Sequence, residues 1–440
     1  MLNADFLYKD PKFYLTFVAL FLYYLYRRKY KHYVFLQKNK SSEGTKFRGK
    51  CPPCYPNGWY RIMNSEELIV NQVQYIDYCG RHIALFRGTN GAIYALHAYC
   101  SHMGANIGIG GKVKYDKCIQ CPFHGWIFDG ETGECVVSEN GTKKIIEQFE
   151  YNDIRKSTIV DGAYLKKCYE GGAKLKKYLV REMDGVILIW IESRDEFHEK
   201  PYFQPFELNT SLDFRGESIN FVNAHIQEIP ENGADIRHFD FLHTSFSDYK
   251  IFGFLSYRWK MKSNRANDPQ LYEIMKHQDK IINDFKVKTL KKYITEENKK
   301  SLNIISLDAY LKIFKWEIFC FNATGFQVGP ALVYLFLKSH FFQVILAQSV
   351  VPLSKFNLKV SHRLYTNWYM PYFVSAYMIY AEVRQLFADM SIWNNKIFGS
   401  KLSYNLKTEA DNYLIGWRNW YAQFYDGCHD FEKQSERLEW

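Results

Sequence analysis

Two short pairs, Cys100-Ser-His102 and Cys121-Pro-Phe-His124, are separated by residues 103–120 and offer two thiolates and two imidazoles. Thiolates on one iron and imidazoles on the other form the donor set of a 2Fe–2S cluster. Its potential is raised because neutral imidazole replaces anionic sulfur. Such a centre takes up an electron and passes it on. The same donors could clamp a zinc ion, and Cys118 adds a Cys118-x-x-Cys121 pair of zinc-like spacing. The flanking residues favour iron and sulfur: His102-Met103-Gly104 and His124-Gly125-Trp126 place a glycine soon after each histidine. There, backbone N–H groups can approach cluster sulfurs and tune the potential. Cys118 is then expected to be a buried strand cysteine.

A cluster domain alone does not need 440 residues. A second constellation lies in Glu228-Ile-Pro-Glu-Asn232-Gly-Ala-Asp235-Ile-Arg-His238-Phe-Asp-Phe-Leu-His243. At ~100° per residue, His238 falls ~60° to one side of Asp235 and His243 ~80° to the other. A carboxylate between two imidazoles is expected, on a segment that bends so the rings converge. Two histidines and one carboxylate make the facial triad of mononuclear non-haem Fe(II), which leaves positions open for dioxygen. The third ligand is expected at Asp389, in Gln385-Leu-Phe-Ala-Asp389-Met-Ser-Ile-Trp393, where Leu386, Met390 and Trp393 share a helical face. Glu228 and Asn232 fall on the same helix as the histidines, either supporting the site or simply capping.

Together these motifs resemble the Rieske non-haem iron oxygenases. The residues after each ligand histidine are not the cysteines of respiratory-type relatives. Further strings resemble the Neverland-type cholesterol 7-desaturases: Tyr55-Pro-Asn-Gly-Trp-Tyr60, Gln327-Val-Gly-Pro330, Ile392-Trp-Asn-Asn-Lys396 and Trp420-Tyr-Ala-Gln-Phe424. One departure is Ser101, where many relatives carry proline. The resemblance implies a small all-β Rieske domain followed by a helix-grip (START-like) catalytic domain, an α+β chain overall. It also implies a head-to-tail homotrimer in which electrons cross between subunits. Asp235 would be the electron relay, bridging a cluster histidine (His102 or His124) and an iron histidine (His238 or His243). The implied reaction is sterol oxidation with dioxygen, namely cholesterol 7-desaturation. Sterol or ketosteroid hydroxylation and sterol side-chain dealkylation are the alternatives with the same metals. From another class, an electron carrier or binding protein with a vestigial iron site conflicts with the intact His238, His243 and Asp389.

The elements around these residues fit that reading. Short apolar runs with glycine turns, Ile83–Arg87 and Ala92–Leu96, suit strands of a small β domain. Beyond residue 170, strands such as Gly185–Trp190, Ala331–Leu337 and Phe341–Leu346 mix with helices around 228–243, 268–300 and 375–397. Aromatics reach 18%, with 34 Tyr and 34 Phe, enough to line a deep apolar pocket. Residues 264–301 are rich in Lys and Asn and read as an exposed insertion. No G-x-G-x-x-G follows a strand, so electrons are expected from a separate NAD(P)H-dependent reductase through a ferredoxin- or cytochrome-type carrier.

The chain start has a different character. Phe13–Tyr26 carries no charge and would span ~21 Å as a helix, against a hydrocarbon core of ~30 Å. Residues 27–50 then hold nine Lys or Arg against one acid, Glu43. That order suits an N-terminal membrane segment or interfacial helix, with the remainder on the cytosolic side, at the endoplasmic reticulum. The expected division is an anchor and linker over 1–50, the cluster domain over 51–167 and the iron domain over 168–440. A net charge of +10 without a recognition module argues against nucleic acid. Eight cysteines besides the cluster pair are scattered and expected unpaired, Cys51-Pro-Pro-Cys54 included.

Overall fold

The structure is a computed structural model. It describes residues 52–136, 172–193, 200–245, 253–265, 281–395 (except 286 and 288) and 408–426, with Thr16, Val18, Ala19, Tyr23, Leu36 and Gln37 near the start. Most of the apolar run 13–26 and the basic stretch 27–50 therefore lie outside the described residues. Among the described residues, no helix is long and apolar enough to cross a membrane. The chain divides into two compact units: Pro53–Pro201 with Val351–Lys355, and the remainder.

The first strand, β1 (Leu36–Gln37), belongs to the second unit. The first unit is built from three small antiparallel sheets. In one, β2 (Gly58–Asn64) is later joined by β9 and β10; β3 (Val73–Tyr78), β4 (Arg81–Arg87) and β5 (Ile93–His97) form the second. The third holds β6 (Lys112–Lys114), β7 (Cys118–Gln120) and β8 (Ile127–Asp129). Strand β10 (Val186–Ile191) returns to pair with β2, and β9 (Val180–Met183) pairs with β10 at the sheet's edge. The boundary expected at 167/168 would have given both to the second unit. The β2 partner of β10 lies more than a hundred positions upstream, and adjacency in sequence does not show it. The apolar centre of the unit includes Phe86, Leu96, Ile107, Ile119 and Phe128, all fully buried.

The string Tyr55–Tyr60 is structural: Trp59 meets Trp190 edge-on at 5.7 Å, and the Tyr60 hydroxyl donates to the Pro56 carbonyl. Cys54 is buried and not disulfide-bonded, and Cys51 lies outside the described residues. Cys135 departs from expectation because it is disulfide-bonded.

In the second unit the remaining strands are β11 (Asp213–Val222), β12 (Leu255–Arg265), β13 (Leu302–Ile313), β14 (Trp316–Val328), β15 (Leu332–Lys338), β16 (Gln343–Ser354) and β17 (Asn357–Thr366). They form one eight-stranded sheet in the order β1-β11-β17-β16-β15-β14-β13-β12, with β1 pairing parallel to β11. Two helices matter first for the site: α1 (Glu228–Glu231) and α2 (Ile236–Leu242). Two longer ones follow, α3 (Tyr372–Trp393) and α4 (Glu409–Asp426). Along α3, Ser375, Ile379, Val383, Leu386, Met390 and Trp393 are buried at helical spacing, which fixes the face turned inward. Asp389 lies on that face.

Two strings noted in the sequence lock α4 to the sheet. Trp417 donates from Nε1 to Gln327 Oε1 at 2.8 Å, and Tyr421 reaches the Pro330 carbonyl. The segment expected as an exposed insertion is partly core. Phe285, Val287, Leu290 and Tyr293 are buried, and the Tyr293 hydroxyl donates to the Gln204 carbonyl. A few spaced apolar residues carry that packing despite the polar average.

Candidate active site

In the first unit, two turns present the cluster motifs, and they are built alike. One leads out of β5 and the other joins β7 to β8. Cys100 N–H donates to the Ala105 carbonyl and Cys121 N–H to the Trp126 carbonyl; Gly104 and Gly125 each donate back to their cysteine's carbonyl. Both glycines sit at positive φ, 71° and 74°, where a side chain would be strained. The two sulfurs are buried and within hydrogen-bonding reach. The Cys100 thiol thereby holds the Cys121 pKa down to about 6. His102 and His124 place their Nδ1 atoms 3.1 Å apart, with the Trp126 ring stacked on His102 at 4.5 Å. Two sulfurs converge, and so do two ring nitrogens, and this donor set fits a 2Fe–2S cluster. Cys118 stands apart as a buried strand thiol, its pKa pushed up to about 12 by burial.

In the second unit, α1 and α2 are separate helices rather than the single helix expected over 228–243. The chain breaks at Gly233–Asp235. Asp235 becomes the N-cap of α2, its carboxylate accepting from the backbone N–H of Arg237 at 3.1 Å and of His238 at 3.4 Å. That contact, rather than a position between two imidazoles, is where the Asp235 side chain lies. Its backbone carbonyl accepts from His238 Nδ1, which leaves Nε2 available as a ligand. Helix α2 ends at Leu242, and His243 takes φ −112° and ψ 29°. Leaving the helix there turns its ring back toward His238, to a centroid distance of 5.0 Å. The bend expected from the ~140° divergence on a straight helix is this C-terminal exit.

Asp389, on the inward face of α3, completes the group. Its Oδ1 lies 3.1 Å from His243 Nε2 and 4.0 Å from His238 Nε2, and the three ligand atoms lie within 4.8 Å of one another. His243 Nδ1 and Asp389 Oδ1 are buried with no hydrogen-bond partner, an arrangement a bound cation would satisfy. Burial also lowers the His238 pKa and favours the neutral ligand form. Two imidazoles and a carboxylate fit mononuclear iron. Trp259 steadies the exit from α2 by donating from Nε1 to the His243 carbonyl. Glu228 proves to be a turn-capping residue, its carboxylate accepting from His225 N–H at 2.8 Å.

A cavity of about 450 Å³ opens beside these ligands. Alternate residues of β14, from Phe319 through Phe321 and Ala323 to Gly325, face into it, joined by Leu335 and Leu337 of β15 and Leu346 of β16. Polar side chains interrupt this lining, Asn232, Gln327 and Gln385 among them, and three that sequence reading missed meet one another: Gln348 on β16, His362 on β17 and Glu382 on α3. His362 Nε2 lies 2.8 Å from Gln348 Nε2 and 3.4 Å from Glu382 Oε1. Burial lowers the His362 pKa to about 4 and raises that of Glu382 to about 7.

A family model for the Rieske 2Fe-2S domain matches residues 58–150, and one for the 3-ketosteroid 9alpha-hydroxylase C-terminal domain matches residues 194–425. Among solved structures, dicamba monooxygenase bound to dicamba aligns over 87% of this chain and 99% of its own, with a TM-score of 0.52 at 14% identity. Fold and sites together define a Rieske non-haem iron oxygenase, with a 2Fe–2S cluster and mononuclear iron as cofactors. The cholesterol 7-desaturase nvd of Xenopus laevis is 31% identical over 401 residues, covering 90% of this chain and 77% of the relative. That of Drosophila melanogaster is 31% identical over 402 residues, covering 88% and 79%. The chain belongs to the cholesterol 7-desaturase family.

Proposed function

We propose that this chain desaturates a sterol at C7, converting cholesterol to 7-dehydrocholesterol. The observation that carries the reading is a two-histidine, one-carboxylate group in the wall of an apolar cavity. Removing two hydrogens from the sterol, with two electrons and two protons from outside, reduces dioxygen to two waters. Cys100, Cys121, His102 and His124 hold the cluster, and His238, His243 and Asp389 hold the iron. When bound, these groups supply one-electron transfer and dioxygen activation.

The chain's own residues set the stage for that chemistry. The Asp235 carbonyl fixes the His238 tautomer, and the Asp235 carboxylate fixes the start of α2. Asp235 is also proposed as the relay for electrons arriving from a cluster. The apolar walls of β14–β16 exclude water from the reacting carbon.

Hydroxylation of a sterol or ketosteroid, or side-chain dealkylation, is the second reading, favoured by the 3-ketosteroid 9alpha-hydroxylase domain match. Incubating the loaded protein with cholesterol, dioxygen, NADPH and a ferredoxin–reductase pair, followed by mass spectrometry, separates the two. A product lighter by two hydrogens supports desaturation; one heavier by an oxygen atom supports hydroxylation.

The wider assembly belongs to the same proposal. The first unit carries the cluster and the second the iron, in a head-to-tail trimer served by a separate reductase or carrier. The uncharged run 13–26 and the basic stretch after it support attachment to the endoplasmic reticulum, catalytic part in the cytosol.

A further inference from the structure

We propose that Gln348, His362 and Glu382 form the subsite for the sterol's hydroxyl group, and that they decide which carbon is presented to the iron ligands. This rests on the sterol reading above. The three residues come from three elements, β16, β17 and α3, yet they meet on one atom, His362 Nε2. Each lines the cavity in a position whose neighbours are apolar: Val344 and Leu346 precede Gln348 on the inward side of β16, Leu364 follows His362, and Met378 precedes Glu382.

Placing such groups in an apolar wall costs free energy unless their hydrogen bonds are satisfied. Here they are satisfied only in part. His362 is 1% exposed and its Nδ1 has no hydrogen-bond partner. An imidazole, a primary amide and a carboxyl group offer both donors and acceptors. An alcohol, which donates and accepts, matches that set; a ketone only accepts, and a hydrocarbon does neither.

Position supports the assignment. Glu382 precedes Asp389 by seven residues, two helical turns on the same face of α3, or ~10 Å along the axis. In a sterol the ring bearing the hydroxyl is fused to the ring that carries C7. A hydroxyl held at Glu382 therefore keeps the second ring beside His238, His243 and Asp389, and directs the long side chain away from them.

The test uses the full-length protein with both metals, without reductant, in equilibrium binding of cholesterol, its 3-keto analogue and its 3-deoxy analogue. Steady-state kinetics on the same three compounds follow. Wild type is expected to prefer the alcohol by about 100-fold or more, because the deoxy compound leaves buried polar groups unpaired. In Gln348→Leu and Glu382→Leu the alcohol should lose affinity by about 10-fold or more while the deoxy analogue binds unchanged. Glu382→Gln, which keeps a donor and an acceptor, should restore most of the preference. The loss should appear in KM, and products oxidised at neighbouring carbons should accompany it. Variants that keep the full preference, or lose all three ligands equally, would overturn the subsite. If wild type binds the alcohol and the deoxy analogue equally the subsite also fails, while desaturation of cholesterol would still stand. Failure of wild type to bind any of the three would instead remove the sterol reading beneath it.

Discussion

Asp235 makes two contacts whose consequences can be separated. As an N-cap its carboxylate stabilises α2 by about 1 kcal/mol, and as a relay it would need its charge. Asp235→Asn keeps the cap acceptor and loses the charge. It should leave the melting temperature and iron content near wild type while turnover falls at least about 100-fold. Asp235→Ala should lower both. Full turnover in the Asn variant would remove the relay and leave only the cap.

His362 and Glu382 make opposite pH signatures. Burial lowers the His362 pKa from 6.5 to about 4, so the unfolded chain takes the proton first. Its contribution to stability is full above pH 6.5 and is lost as pH falls through about 4. Glu382 is raised from 4.5 to about 7, so its contribution is full below 4.5 and is lost as pH rises through about 7. Each shift corresponds to at most about 3 kcal/mol. Between pH 4.5 and 6.5 the two slopes oppose, and wild-type stability should be flatter than that of either variant. Urea midpoints should rise with pH in Glu382→Gln and fall with pH in His362→Leu; parallel profiles in all three would contradict the assignment.

Among the elements, what was legible in sequence depended on how local the information was. Each half of the cluster site is a turn of a few residues, and its cysteine, histidine and glycine spacing can be read directly. The iron histidines were legible for the same reason, but the division of the helix expected over 228–243, ahead of both histidines, was not. Gly233 breaks that helix, and a rotation argument assumes continuity that only the hydrogen bonding settles. Asp389 could be found because α3 repeats its apolar residues at helical spacing. Gln348, His362 and Glu382 carry no common spacing, since strand pairing and helix packing bring them together from separate elements. The β14–β15 turn offers a sharp check on packing. Gly329 has φ 62°, and an added Cβ would meet the Phe203 ring at 2.2 Å. Gly329→Ala should cost about 2 kcal/mol or more, read as a lower denaturation midpoint, with cluster absorbance retained. An unchanged midpoint would mean that Phe203 can move aside at no cost.

Over the whole molecule, the ligands of the iron site join distant stretches of chain. His238 and His243 leave α2, while Asp389 comes from α3 across most of the eight-stranded sheet. One ion therefore clasps the second unit shut, and binding to the folded chain alone stabilises it by about 2.7 kcal/mol at a hundredfold excess over Kd. Chelation should lower the melting temperature of wild type and leave Asp389→Ala, with about two irons per chain instead of three, almost unmoved. The same clasp makes the supply of iron a determinant of the protein's lifetime. In iron-starved cells the unclasped chain should be degraded faster, so that its abundance falls before its chemistry is limited. Pulse-chase turnover in chelated and replete cells would show this as a half-life that iron lengthens in wild type and leaves short in Asp389→Ala.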